Sequence, residues 1–205
     1  MQLEQGFMKK YNKFEKGYLT FRKRKLLLNV ALNVLAAVVI FVVGLFLNKM
    51  QAKNIFSVLA LLFVLPVGRS LATFFILMPY KEMKDRDLLK VKEGIQGKGI
   101  LLYSPVFTSS EHVMHLDLIA VFKGRVIAYK GKDGTTARNE YDYKKRVDTA
   151  KAYIDKHIKN QGRGDNLVVF DDMEKFVRAF PEKKASETDM DEIKSFTESM
   201  KYFIV

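Results

Sequence analysis

The 205-residue sequence contains no cysteine, which removes two classes of architecture. Disulfide scaffolds are excluded, and so are zinc and iron–sulfur sites built on cysteine ligands. Common catalytic signatures are also missing, because the sequence has neither a G-x-x-x-x-G-K-[ST] phosphate loop nor a G-x-S-x-G elbow. What distinguishes this chain is instead the uneven distribution of its charge.

Charged residues are absent from Leu26 to Asn48. Because a helix rises about 1.5 Å per residue, the 22 residues Leu26–Leu47 cover a hydrocarbon core of roughly 30 Å. About 25 mostly polar residues precede this run and no small-residue cleavage pattern follows it, which argues against a cleavable signal peptide. We therefore predict a first transmembrane helix over residues 26–47.

A second apolar run, predicted to span residues 54–79, contains a single charge, Arg69. It is long enough to cross a bilayer with some tilt. Pro66, Gly68 and Arg69 at its centre predict a kinked spanning helix, with a re-entrant loop as the alternative. Residues 26–80 are thus expected to form a two-helix hairpin.

Basic residues predict the orientation of this hairpin. Eight lie before the first run and five lie within Lys81–Lys92, whereas the connecting turn carries only Lys49 and Lys53. We expect a multi-pass protein of the cell membrane with both termini in the cytosol.

Residues 1–25 are predicted to form a basic amphipathic helix. Five aromatic residues follow helical spacings of four and three: Phe7, Tyr11, Phe14, Tyr18 and Phe21. Eight basic residues flank this stripe: Lys9, Lys10, Lys13, Lys16, Arg22, Lys23, Arg24 and Lys25. Such a helix can lie among anionic lipid headgroups or pack on the protein's own soluble domain, and spacing alone does not separate the two.

Arg69 is the intramembrane residue that calls for an explanation, because a charge at the bilayer centre costs about 2.5–3.5 kcal/mol on insertion scales. Asn29 and Asn33 in the first helix are candidates to accept a hydrogen bond from it. Other partners are a lipid headgroup, an acidic residue of another subunit or a water-filled cavity. A side chain that snorkels to the interface is the alternative.

Residues 81–205 are predicted to form a cytosolic α/β domain in the order α-β-β-β-α-β-α. Its basic and acidic residues nearly balance, at 24 and 21, which speaks against nucleic-acid binding. The expected elements are a helix over Tyr80–Lys98, strands at Gly99–Thr108, Val113–Phe122 and Arg125–Tyr129, a helix over Tyr141–Lys159, a strand at Asn166–Phe170, a helix over Met173–Phe180 capped by Asp171 or Asp172, and a last helix over Met190–Phe203.

This order, over residues 85–180, resembles the core of the PD-(D/E)xK nuclease superfamily and its NERD-type members. The resemblance implies that Asp117 matches the first metal-binding aspartate, with Glu111 as a possible upstream acid, and that Ala128-Tyr129-Lys130 matches the third-strand motif. Lysine is present, but alanine replaces the carboxylate. Hydrolysis by this route needs divalent ions held by converging oxygen ligands. We therefore expect no metal, no cofactor and no nuclease activity, with Asp117 on the solvent side of its strand.

Histidines provide no alternative metal site, because His112 and His115 are three residues apart and would lie on opposite faces of a strand. The overall layout is also similar to a group of uncharacterised bacterial proteins with two membrane helices and a small cytosolic α/β domain. Our leading hypothesis is a membrane-anchored, non-catalytic interaction module that contacts anionic lipid and binds a protein partner or its own copies. The alternatives are a membrane-tethered nuclease-like protein and an accessory subunit of a transport or secretion complex.

Overall fold

The computed structural model describes residues 11–83, 85–109, 111–132, 140–162, 164 and 167–205, with side chains left out at 85–87. The chain divides into two units. One is the segment Thr20–Pro79, and the other joins the residues before it to Tyr80–Val205. Each unit is described on its own below.

The first unit is a pair of apolar helical segments. Helix α1 covers Tyr18–Leu47, and two shorter helices, α2 (Ile55–Leu62) and α3 (Val64–Leu77), form the second segment. Both segments are long and apolar enough to cross a membrane, which confirms the two predicted apolar helices at that level. Most large apolar side chains between Leu27 and Met78 are exposed.

The break between α2 and α3 lies at Phe63, three residues before Pro66. Proline has no N–H to donate to the carbonyl four residues earlier, so Leu62 loses its helical hydrogen bond. The Phe63 N–H instead donates to Ala60 at 3.2 Å, and the helix resumes with Val67 N–H donating to Phe63 at 3.3 Å. The predicted irregularity is present, but it precedes Pro66 rather than lying at Gly68 and Arg69.

A polar turn connects the two segments. Lys49 and Met50 adopt positive φ angles of 49° and 65°. The Asn54 side chain caps α2 by accepting from Ser57 N at 3.0 Å, while the amides of Asn48 and Asn54 donate to the Gly44 carbonyl at 2.9 and 3.3 Å. These bonds satisfy backbone groups that a helix terminus leaves open.

Gly44 lies where the two segments approach most closely. A Cβ atom at this position would lie 2.3 Å from Cβ of Phe56, so only glycine fits without displacement. At the other end of the hairpin, Lys23 Nζ donates to the Met78 carbonyl at 3.2 Å. The two segments are therefore antiparallel neighbours at both ends.

The second unit is an α/β fold, as the sequence predicts, and its main sheet is mixed. Its elements are α4 (Asp85–Ile95), β1 (Ile100–Tyr103), β2 (Val106–Thr108), β3 (Val113–His115), β4 (Leu118–Phe122), β5 (Arg125–Tyr129), α5 (Glu140–Asn160), β6 (Leu167–Phe170), α6 (Met173–Arg178) and α7 (Glu187–Met200). The main sheet has the order β1-β4-β5-β6, in which β6 alone is parallel to its neighbour. The strands β2 and β3 pair separately.

Two apolar clusters cover opposite faces of the main sheet. Ile119 and Val121 of β4 belong to a cluster that includes residues of α5 and α7, whereas Leu118, Ala120 and Phe122 belong to one with residues of α4 and α6. All five residues of β4 are therefore buried. A strand covered on both sides has this continuous apolar character instead of an alternating one.

Two predicted strands are each divided in two, which corrects the expected order. The chain bends at Ser104, whose φ is 44°, and Pro105 has no N–H with which to continue a ladder. The segment paired with it, between β3 and β4, bends at the same level. There Leu116 N–H donates to the Pro105 carbonyl at 3.3 Å, and Ser104 N–H donates to the Asp117 carbonyl at 2.9 Å. The pair β2–β3 thus leaves the main sheet as a separate ribbon.

The prediction of a helix over residues 1–25 is wrong for residues 11–17. Residues 1–10, with Phe7, Lys9 and Lys10, lie outside the described residues. Tyr11–Gly17 forms turns, and Gly17 has a φ of 93°, which a helix does not allow. Phe14 is buried in the same cluster as β4 and α7, and its carbonyl accepts from Tyr103 N at 3.3 Å. Phe14 therefore docks on the α/β unit, which is one of the two predicted environments, but it does so from a turn and not from a helix.

The helices of the α/β unit follow their predicted positions with shifted ends. Asp172 caps α6 by accepting from Lys175 N at 2.9 Å, and a reciprocal capping box between Ser186 and Asp189 starts α7. This capping box begins the last helix three residues before the predicted Met190.

Candidate functional site

The two best sequence candidates, Asp117 and Lys130, do come together. Asp117 directly precedes β4 and Lys130 directly follows β5, and these strands pair antiparallel with Leu118 opposite Tyr129. The register therefore places the two side chains at the same end of the strand pair. Lys130 Nζ lies 3.4 Å from Asp117 Oδ1, and the side chains are only 13% and 17% exposed.

His115 completes this cluster, although the sequence did not single it out. Its Nδ1 lies 3.1 Å from Lys130 Nζ and 3.8 Å from Asp117 Oδ1, and its side chain is 4% exposed. A lysine ammonium can only donate, so its hydrogen bond assigns the acceptor role to Nδ1 and the proton to Nε2. Tyr80 stacks on the imidazole with a centroid distance of 4.7 Å.

Backbone and tyrosine hydrogen bonds also hold Asp117 and the backbone of Lys130. Asp117 Oδ2 accepts from Gly131 N at 2.8 Å, and the Tyr143 hydroxyl donates to the Lys130 carbonyl at 2.5 Å. A Cβ on Gly131 would lie 2.8 Å from the Tyr129 hydroxyl, so a larger residue here would have to displace that ring. Both carboxylate oxygens of Asp117 are thus occupied by donors from the protein itself. This makes the group poorly suited to bind a cation.

Burial governs the electrostatics of this pair. It raises the pKa of Asp117, and the Lys130 charge and the Gly131 N–H only partly oppose that rise. Burial also lowers the pKa of Lys130, against the attraction of Asp117. The pKa of Tyr143 is raised to about 12, by burial first and then by Asp171 and Asp117, so its hydroxyl remains a donor at neutral pH.

The other two positions of the nuclease-like motif do not join the cluster. Glu111 is 81% exposed and its ion-pair contact is the Nε2 atom of His112 at 4.0 Å. Ala128 is fully buried in the apolar cluster that includes α5 and α7, so no carboxylate and no solvent reach this position. Within the described ranges, no group of three or more His, Asp or Glu residues could hold a metal ion.

The expectation that Asp117 lies on the solvent side of its strand is wrong, because its side chain is largely buried and hydrogen-bonded. One sequence signal could have identified its neighbour, since His115 and Asp117 are two residues apart and period-two spacing puts residues on one strand face. Tyr143 was placed on the inward stripe of its helix, but no sequence signal links its hydroxyl to Lys130.

The intramembrane candidates Asn29 and Asn33 do not hold Arg69. Asn33 Nδ2 donates to the Asn29 carbonyl one turn earlier at 2.7 Å, within α1. Both asparagines are half-buried, whereas Arg69 is exposed. Throughout Thr20–Pro79, all of which is described, Arg69 makes no side-chain hydrogen bond or ion pair. The predicted hydrogen bond is therefore absent.

The basic residues expected at the lipid surface have different environments. Lys13 Nζ donates to the carbonyls of Lys201 and Ile204 at 2.9 and 2.5 Å, so this residue fastens the N-terminal segment to the end of the α/β unit. Lys23 binds the Met78 carbonyl. Lys16 and Arg22 are half-buried, and Arg24 and Lys25 are exposed. Only the last two match the simple expectation of an open basic surface.

Comparison of the chain with family models, curated proteins and solved structures finds no match. The relationship to PD-(D/E)xK proteins accordingly stays a prediction. The properties that bear on the function of the protein are those of its two units.

Proposed function

We propose that the protein is a membrane-anchored, non-catalytic module, which uses its hairpin to hold the α/β unit at the cytosolic face of the cell membrane. The observation that carries this proposal is the hairpin surface. Side chains such as Phe46, Leu65 and Phe75 are 75%, 73% and 62% exposed, and their neighbours along both segments are apolar. Exposed apolar surface of this extent marks a membrane or protein interaction surface, and the spanning length of both segments favours lipid.

The polar cluster supports a non-catalytic role for the α/β unit. Lys130 pairs with Asp117 and contacts His115, and Ala128 offers no ligand where the resembled family needs a carboxylate. A buried pair of this kind fixes the strand ends of β4 and β5 in register. We propose that the unit acts by binding a protein partner or its own copies.

A membrane-tethered nuclease-like protein is the second candidate, favoured by the convergence of Asp117 and Lys130 at adjacent strand ends. A third candidate, an accessory subunit of a transport or secretion complex, is favoured by the exposed Arg69 in an apolar segment. Both candidates share the membrane anchor with the main proposal.

Alkaline carbonate extraction of membranes tests the anchor. The full chain is expected to stay in the pellet, as a spanning protein does, and recovery in the soluble fraction would refute the proposal. Nuclease activity is tested separately on the full chain in detergent with Mg²⁺ or Mn²⁺ and DNA or RNA. We expect no cleavage, and cleavage that disappears in Asp117→Asn would favour the second candidate.

A further inference from the structure

One face of α3 is turned away from the covered side of the hairpin. The buried and half-buried residues of the second segment are Phe56, Ser57, Ala60, Phe63, Val67, Ser70, Leu71, Thr73, Phe74 and Leu77. The name outward face is used for Leu65, Gly68, Arg69, Ala72 and Ile76, which are all exposed. Leu65, Arg69, Ala72 and Ile76 follow spacings of four, three and four, and Gly68 precedes Arg69 on the same side, so they form one continuous stripe.

Arg69 lies in the middle of the outward face. The chain has no Asp or Glu between Glu15 and Glu82, so no acidic residue of the hairpin can neutralise this charge. The same argument excludes a second copy docking through its own hairpin, which would bring only another Arg69. Intramembrane basic residues usually pair with an opposite charge or face a polar cavity.

Small residues flank this charge. Gly68 and Ala72 are four apart and form the small-x-x-x-small pattern that lets helix backbones approach closely in membranes. No atom lies within 4 Å of the position that a Cβ on Gly68 would take. The space beside Arg69 is therefore open to the backbone of another helix, in contrast to Gly44, whose space is filled by Phe56.

From this arrangement we infer that the outward face of α3 docks a membrane-spanning helix of a different protein, which carries an Asp or Glu side chain opposite Arg69. The inference rests on the proposed membrane anchor and names the class of partner. Arg69 is eight residues from Leu77, about 12 Å along the helix, so a lipid phosphate reaches it only if the side chain snorkels or the bilayer thins, whereas a partner's carboxylate can lie at its own depth.

A defined guest helix tests this inference without knowledge of the natural partner. The full chain is reconstituted in phosphatidylcholine vesicles with a synthetic apolar transmembrane helix that carries one Glu at the depth of Arg69, and association is measured by energy transfer. The same helix with Gln is the reference. We expect about 3- to 20-fold tighter association of the Glu helix, the range of measured interhelical polar contacts.

Variants separate charge recognition from general packing. Arg69→Leu should abolish the preference for Glu, and Arg69→Glu should transfer it to a guest helix with Lys. Gly68→Leu should weaken both guest helices, because it fills the open space, whereas Phe46→Leu, an exposed apolar replacement in α1, should change neither. Equal association of the Glu and Gln helices with wild type would overturn the inference.

Other occupants of the outward face have distinct signatures. Arg69-dependent enrichment of phosphatidylglycerol, without preference for the Glu helix, would assign the face to a lipid phosphate and overturn the inference. Disulfide formation between two copies of Ala72→Cys, which is clean in a chain without cysteine, would assign it to a second copy and do the same. Carbonate extraction distinguishes failure of this inference from failure of the proposed membrane anchor. A chain that stays inserted but shows no preference for the Glu helix contradicts only this inference, and a chain that fails to insert contradicts the anchor as well.

Discussion

The hairpin and the α/β unit use the same apolar residue types in opposite ways. In the α/β unit, Phe107, Phe122 and Phe176 are no more than 1% exposed, whereas Phe46 and Phe75 of the hairpin are 75% and 62% exposed. The burial of charged residues differs in the opposite sense, because Asp117 and Lys130 are buried as a pair while Arg69 is exposed on an apolar helix. Under the proposed membrane anchor, the difference means that each unit is folded for its own solvent, water for one and lipid for the other.

Matched phenylalanine substitutions give the largest expected contrast. Phe176→Ala removes a fully buried ring of α6 that packs against Tyr129 of β5, and it should lower the free energy of unfolding by about 3–5 kcal/mol. Phe46→Ala removes a ring that is 75% exposed and should leave stability nearly unaltered. Denaturant unfolding of the full chain in nanodiscs measures both. Equal losses would show that Phe46 is a packed core residue.

The buried pair gives the next largest effect. Asp117→Leu or Lys130→Met leaves one charge uncompensated and should cost about 2–4 kcal/mol, slightly below the range for fully buried pairs because both side chains keep some exposure. The double variant should cost less than the sum of the two. A thermodynamic cycle from unfolding measurements gives the coupling, and strictly additive costs would mean that the two side chains do not interact.

The contact between the two apolar segments is tested by a glycine pair. Gly44→Ala should weaken the hairpin by about 1–3 kcal/mol because its Cβ overlaps with Phe56. Gly68→Ala meets no atom within 4 Å and serves as the control. Resistance of the turn to protease in vesicles reports hairpin closure, and protection that is unchanged in Gly44→Ala would place the segments farther apart than the structure has them.

An exposed ion pair, Lys123–Asp189, gives the smallest effect. The pKa of its carboxyl is lowered, whereas the pKa of the buried Asp117 is raised. The Lys123 and Ser186 hydrogen bonds depress the pKa of Asp189 to about 2. A depressed carboxyl pKa stabilises the fold above the unfolded pKa of 3.8, and this stability is lost as the pH falls through about 2. The difference in free energy of unfolding between wild type and Asp189→Asn should therefore disappear as the pH falls from about 4 to about 2. A constant difference across this range would assign the effect to packing.

Sequence reasoning was most reliable where one physical signal dominates. Long apolar runs identified the two spanning-length helices, and short apolar runs identified an α/β unit, whereas the parallel pairing of β6 was not foreseen. The N-terminal segment failed because aromatic spacing cannot distinguish a helix from turns, and Phe14 takes its position from a tertiary contact with the sheet.

The candidate site was predicted in part for a similar reason. Asp117 and Lys130 were named from the resemblance, and the structure places them at neighbouring ends of β4 and β5. His115 was missed because it was considered only as a metal ligand with His112, although it lies two residues from Asp117. Arg69 was recognised as unusual, but which face of α3 it occupies becomes visible only from burial.

The membrane anchor and its orientation are tested most directly by single-cysteine labelling, because the chain has no cysteine of its own. Gln51→Cys lies in the exposed turn of the hairpin and Tyr202→Cys lies at an 89% exposed position of the α/β unit. An impermeant maleimide applied to intact cells should label Gln51→Cys at once and Tyr202→Cys only after the membrane is opened. Labelling of Tyr202→Cys in intact cells would contradict the account.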